Sequence, residues 1–262
     1  MTHLFFMQNL DFWQIFLVAF VGFAASFIGN AAGSDGFIYL IGMNFLNLPT
    51  MRAIGTMKWF SFASAFYAMS RYRKQNSTAA KKFIRFLFPY GVILWLSASF
   101  IGSILAQRVS GDFMDKMLPF LTLLMAFYKT IFFDPKKFTK RRISNKIFFY
   151  GFLSIIFFYI GFFGPGGATF VIFFASMLIG MGLKEASIVS RHVTFVANVI
   201  SVLVFAYKQM FYIDVALITI ISGIIGTKCS LKFVAKYGNQ FINISLIVVL
   251  YFVSAVYFLN LK

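Results

Sequence analysis

The sequence predicts an all-α integral membrane protein: two inverted repeats of about five hydrophobic segments each, with glycine-interrupted short helices near the centre. Three observations point there. Of the 262 residues, 60% are hydrophobic and 12% charged, and mean hydropathy is +0.84. A soluble domain carries about 25% charged residues, so this chain has too little polar surface to cover itself in water. Apolar runs follow one another with only short connections, so a single membrane domain, residues 1–262, accounts for the whole length. Finally, two of the runs are broken by glycine-rich strings at corresponding places.

Taken in order, the apolar runs lie near 12–32, 36–48, 52–70, 83–107, 117–133, 147–163, 166–182, 186–207, 213–230 and 239–261. No basic n-region precedes the first, which therefore reads as a retained helix and not a cleaved signal peptide. It runs into the first break, Gly29-Asn30-Ala31-Ala32-Gly33-Ser34-Asp35-Gly36. The short segment 36–48 follows. Thirteen helical residues rise about 20 Å, against a hydrocarbon core of about 30 Å. Such a piece is a half-helix, a re-entrant segment or a steeply packed short span. Non-helical backbone is tolerated at membrane depth only inside protein or beside a cavity. The second break, Gly161-Phe162-Phe163-Gly164-Pro165-Gly166-Gly167, likewise precedes the short segment 166–182.

The charges fix a topology. The 24 Lys+Arg outnumber the 7 Asp+Glu, giving +17, and twelve of the 24 fall in two stretches, each separating two hydrophobic runs: Arg71, Arg73, Lys74, Lys81, Lys82, Arg85, then Lys136, Lys137, Lys140, Arg141, Arg142 and Lys146. Basic connections face the cytoplasm. The excess charge is thereby assigned to topology, no basic face is left for nucleic acid, and no nucleic-acid partner is expected. Ten crossings place both termini outside, with Asp112 and Asp115 also outside beside Arg108 and Lys116, and the Lys228/Lys232/Lys236 turn inside. If the short segments re-enter without crossing, both termini move inside and the repeats become parallel; the third basic turn favours ten crossings.

A displacement of 133 residues pairs Gly33 with Gly166, Ala53 with Ala186, Lys58 with Arg191, Ser61 with Thr194 and Phe62 with Phe195. Repeat one covers about 12–133 and repeat two about 147–261, joined by the basic linker at about 134–146. Five segments per repeat, an odd number, invert the second copy. Interrupted segments at matching places in two halves point to a transporter binding site.

The candidate site residues gather at those breaks. Lys58 and Arg191 lie within apolar segments, where a charge costs about 2.5–3.5 kcal/mol and must find a partner inside the bundle. Together they would attract an anion, Arg191 with a planar fork and Lys58 as a point charge; alternatively each snorkels to the interface. Half-helices beginning after Gly36 and Gly167 present unpaired N–H groups, a ready anion site, lined by Asn30, Ser34, Gly164, Pro165, Gly166 and Gly167. The glycines could instead serve only close helix packing. Asp35 could carry a coupling proton, pair with Lys58 or Arg191 when the site is empty, or cap the following helix. His192 is the second coupling candidate, or a hydrogen-bonded packing residue. Ser61, Thr194 and Asn198 could donate to substrate oxygens or bond across helices, and Trp59 and Phe195 could wall a cavity or pack. The single Cys229 excludes an internal disulfide and reads as a small packing residue. There is no phosphate loop, no helical zinc pair of histidines and no spaced carboxylate pair, so neither an enzyme, a metal nor a cofactor is expected, and transport would be secondary or passive.

The string Gly161 to Gly167, with Ser187 to Asn198 beyond it, resembles the second-half signature of the TauE/SafE family of sulfite-exporter permeases: GFFGPG, a short helix, then a small-residue segment ending in a basic residue and a later Asn. Here these are Arg191 and Asn198. Leu48-Pro49, Ala53-Ile54-Gly55-Thr56 and Lys58 resemble the first half. The first break departs from the family's usual run of glycines by carrying Asn30, Ser34 and Asp35. The resemblance implies a multi-pass protein of a bacterial-type inner membrane that moves sulfite, a sulfonate or a related organosulfur anion. The expected function is secondary transport or export of that small anion by alternating access about the central basic site. The expected partners are the anion, the lipid bilayer and a coupling proton or ion; oligomeric state is open. A passive anion channel, or a membrane subunit with no transport of its own, are the other readings of the same residues.

Overall fold

The computed structural model describes residues 5, 11–72, 78–132 and 146–260; Arg73, Lys74 and residues 134–145 of the basic linker lie outside the described residues. In a bilayer the backbone must satisfy its own hydrogen bonds, and the described chain does so as helices. These are α1 (Phe12–Ala32), α2 (Asp35–Phe45), α3 (Thr50–Tyr72), α4 (Thr78–Ala106), α5 (Gly111–Phe132), α6 (Lys146–Phe162), α7 (Gly167–Ile179), α8 (Leu183–Tyr207) and α9 (Ile213–Asn260). Gly238, at φ 55° and ψ −131°, divides α9 in two, so the ten hydrophobic runs are present as ten helical pieces.

By length and composition, three stretches among the described residues suffice to cross a membrane alone, Phe12–Ala32, Leu183–Tyr207 and Ile213–Val249, or four if the pair Gly91–Ala106 and Gly111–Leu121, bent by 117°, is one broken span. The short helices α2 and α7 have 11 and 13 residues, and α3 carries Arg52, Lys58 and Arg71. The protein is a multi-pass membrane protein, in which these shorter and more polar helices sit among apolar neighbours.

Glycine backbone sets how close the helices come. A β-carbon at Gly226 would stand 2.4 Å from the Phe23 carbonyl, and α1 lies along α9 there. One at Gly161 would stand 2.2 Å from the Ser99 carbonyl, and one at Gly102 2.3 Å from that of Phe158, which brings α4 onto α6. The third large contact joins α3 to α8, where Phe62 stacks on Phe195 with centroids 5.2 Å apart.

At the first break α1 ends on Gly33, left-handed at φ 74°, whose N–H returns to the Gly29 carbonyl. At the second break Gly166, at φ 75°, precedes α7. Asn47 (φ 55°) and Gly180 (φ 77°) follow the two short helices. Beyond them the Ala53 N–H bonds the Pro49 carbonyl and the Ala186 N–H bonds that of Gly182, each at 2.9 Å. Every one of these pairs is separated by the same 133 residues.

Candidate functional site

The two breaks touch. A β-carbon on Gly33 would lie 2.6 Å from the Ala168 carbonyl carbon and the Thr169 nitrogen, and one on Gly36 would lie 2.9 Å from the Pro165 Cα. The Ser34 and Thr169 hydroxyls are 2.6 Å apart, and Thr169 donates to the Ala32 carbonyl at 2.9 Å. The amino-terminal ends of α2 and α7 therefore meet inside the bundle, with the positive ends of two helix dipoles side by side. Ser34 stands at the cap position of α2 without a side-chain cap bond, and Asp35 stands in its first turn.

The carboxy-terminal ends of α1 and α6 are the complementary problem, since their last carbonyls lack partners within the helix. Each is met by a cation from the other half of the sequence. Lys58, on α3, donates to the Ile160 carbonyl and, at 3.4 Å, to the Phe163 carbonyl at the end of α6. Arg191, on α8, donates to the Asn30 carbonyl and, at 3.2 Å, to the Gly29 carbonyl at the end of α1. Phe163 and Asn30 are themselves 133 residues apart, as are Lys58 and Arg191. Both side chains are wholly buried. Neither snorkels, and the favourable meeting of a cation with a helix carboxy terminus accounts for both positions.

The two clamps differ in one respect. Arg191 also pairs with Asp35, Nη1 to Oδ2 at 3.5 Å, whereas the residue standing 133 positions beyond Asp35 is Ala168. Gly164 lies against Lys58, whose Nζ would be 2.7 Å from a β-carbon there. A cleft of about 680 Å³ lies between α4 and α8 and is lined by none of the clamp residues.

The remaining candidates divide. Thr194 and Asn198 follow Arg191 on one buried face of α8, and the Thr194 Oγ1 and Asn198 Oδ1 have no protein partner, as is true of both Asn30 side-chain polar atoms. Ser61 is buried on α3. His192 falls on the opposite face of α8, where its Nδ1 hydrogen-bonds the Ile188 carbonyl at 2.9 Å. Trp59 packs on Phe211 at 5.5 Å and Phe195 on Phe62 at 5.2 Å. Ser201, Ser99, Ser103 and Tyr72, not among the sequence candidates, are also buried; the spacing of polar residues along α8 is the signal that marks Ser201. Among the described residues no group of His, Cys, Asp and Glu could hold a metal ion.

Fold and site together define a class: multi-pass helical membrane proteins in which two broken helices abut and each is held by a buried cation from elsewhere in the chain. The chain belongs to the TauE/SafE family, whose model, described as "Sulfite exporter TauE/SafE", matches residues 18–257. It is 26% identical over 239 residues to a Haemophilus influenzae protein called a probable membrane transporter protein, covering 90% of this chain and 91% of that relative. It is 25% identical over 246 residues to a Sinorhizobium protein called probable membrane transporter protein ORF9, covering 93% and 92%. No solved structure matches it.

Proposed function

We propose that the protein is a secondary transporter of a small oxyanion, of the sulfite or sulfonate type, working by alternating access of two inverted halves, about 12–133 and 147–261. The observation that carries this is the reciprocal clamp: Lys58 holds the end of α6 and Arg191 the end of α1. A cation that neutralises the negative end of one broken helix leaves the adjoining positive end, of α2 or α7, free to attract an anion. Asp35 occupies that position beside Arg191. An incoming oxyanion would displace the carboxylate and take the planar guanidinium fork, which suits a pair of oxygens on one sulfur. A proton accepted by the released Asp35 would keep the charge of the site constant, which makes Asp35 the better placed coupling candidate. The relatives' names support transport, the family description supports sulfite-type cargo, and the matched glycines at φ 74° and 75° support the two-half architecture.

The test is flux of labelled sulfite, sulfoacetate or taurine in proteoliposomes. Parent protein is expected to show saturable flux and counterflow, and Arg191→Ala and Lys58→Ala to lose both. Undiminished flux in the two variants would refute the site, and saturable flux without counterflow would identify a channel.

A further inference from the structure

We infer that a polar track along one face of α8 is the path the anion follows, running from Ser187 at the inner end to a cleft between α4 and α8 at the outer end. The clamp accounts for Arg191 but not for the residues in line with it. Ser187, Arg191, Thr194, Asn198 and Ser201 recur at intervals of four, three, four and three, which places them on one helical face. All five are buried, at 0%, 0%, 6%, 2% and 0% exposure. The opposite face carries His192, Val196 and Val199, none of them fully buried.

A buried hydroxyl in a membrane helix ordinarily returns to the carbonyl one turn back. Ser103, Ser154, Ser201 and Thr219 do so, at 2.7–3.1 Å. Thr194 does not: its hydroxyl, the Asn198 Oδ1 and the Arg191 Nε have no protein partner. A buried polar atom left unsatisfied costs about 1–3 kcal/mol, and three of them aligned on one face amount to a strip kept for a ligand. The Tyr72 hydroxyl, on α3, meets that of Ser187 at the inner end.

Towards the outer end the strip passes to α4. Ser201 accepts from Ser103 at 3.0 Å and lies 3.2 Å from the Ser99 hydroxyl. One turn beyond Ser103, Gln107 donates to the Val204 carbonyl at 3.3 Å. Gln107 borders the cleft of about 680 Å³, which Arg108 and Lys208 also line. Two cations at a mouth concentrate anions there. The apolar remainder of the cleft, including Ile200 and Val204, suits the carbon skeleton of a sulfonate better than it suits a fully hydrated inorganic ion.

The track rests on the transporter reading only for what moves along it. The experiment uses Cys229→Ser protein with single cysteines at Ser187, Thr194, Asn198 or Ser201, and at Ile221, 62% exposed on α9 and away from the cleft, as the lipid-facing control. Ser187→Cys and Ser201→Cys change one atom each and keep the test open if Asn198→Cys fails to fold. Reaction with an impermeant anionic maleimide is expected to be about tenfold faster or more on the track than at Ile221→Cys, because a thiolate forms only where water reaches it. Sulfoacetate is expected to slow the track cysteines and leave the control unchanged. Track cysteines as slow as Ile221→Cys would overturn the path. Fast reaction that sulfoacetate does not slow would uphold the path and refute a sulfonate as its cargo.

Discussion

Arg191 and Lys58 perform the same task with different security. Arg191 bonds two carbonyls and a carboxylate, all inside the bundle. Its removal strands Asp35 without a countercharge, and breaking a buried pair in this way costs about 3–5 kcal/mol. Removing Lys58 strands carbonyl oxygens alone, at about 1–3 kcal/mol. Arg191→Ala is therefore expected to melt at a lower temperature in detergent than Lys58→Ala. Adding Asp35→Asn to Arg191→Ala should recover part of the loss, because the stranded charge goes with it. If the double variant melts no higher than Arg191→Ala, the 3.5 Å pair contributes nothing to stability. That these residues had to face inward follows from their charge in an apolar segment. Where each would find its partner did not, since the end of a helix about a hundred residues away or more leaves no mark beside Lys58 or Arg191 in the sequence.

Among the elements, the two short helices depend on backbone that only glycine adopts easily. Ala at Gly33 would meet both a left-handed φ, at a cost of about 1–2 kcal/mol, and the Ala168–Thr169 backbone at 2.6 Å. Gly33→Ala should cut folded yield sharply, while Gly111→Ala, with open space around it, should express as the parent does; equal yields would mean the breaks do not need to touch. Segment boundaries were legible to different degrees for traceable reasons. The run 12–32 is α1 itself because Asp11 caps it and Gly33 ends it. The run 36–48 overreaches α2, which stops at Phe45 before the left-handed Asn47. The run 117–133 misses the start of α5 at Gly111, because Asp112, Phe113, Asp115 and Lys116 are exposed and hydropathy does not register a helix with a wet first turn. Asp115 there accepts from the Thr50 hydroxyl at 2.6 Å and ties α5 to the head of α3.

In the molecule as a whole, two kinds of seam have different mechanical character. The α1–α9 and α4–α6 contacts mesh backbone against backbone at glycines, so neither partner slides without lifting out of the groove. The α3–α8 contact is mixed: at one end a β-carbon on Gly55 would stand 2.8 Å from the Phe205 ring and 1.8 Å from the Met210 carbonyl, while further along flat rings, Phe62 and Phe66 against Phe195, can shift past one another with little loss of contact. Each meshed pair joins the first half of the sequence to the second, so any rocking carries α1 with α9 and α4 with α6 as units and concentrates where α3 meets α8. In a Cys229→Ser background, joining Phe62→Cys to Phe195→Cys with a short, reducible thiol cross-linker should abolish flux, and a reductant should restore it. Joining Trp95→Cys to Tyr150→Cys across α4 and α6, where the native rings are 5.7 Å apart, should leave flux near that of the uncross-linked protein. Equal loss from the two cross-links would show that no seam is privileged and that the α1–α9 and α4–α6 pairs do not move as units about α3 and α8.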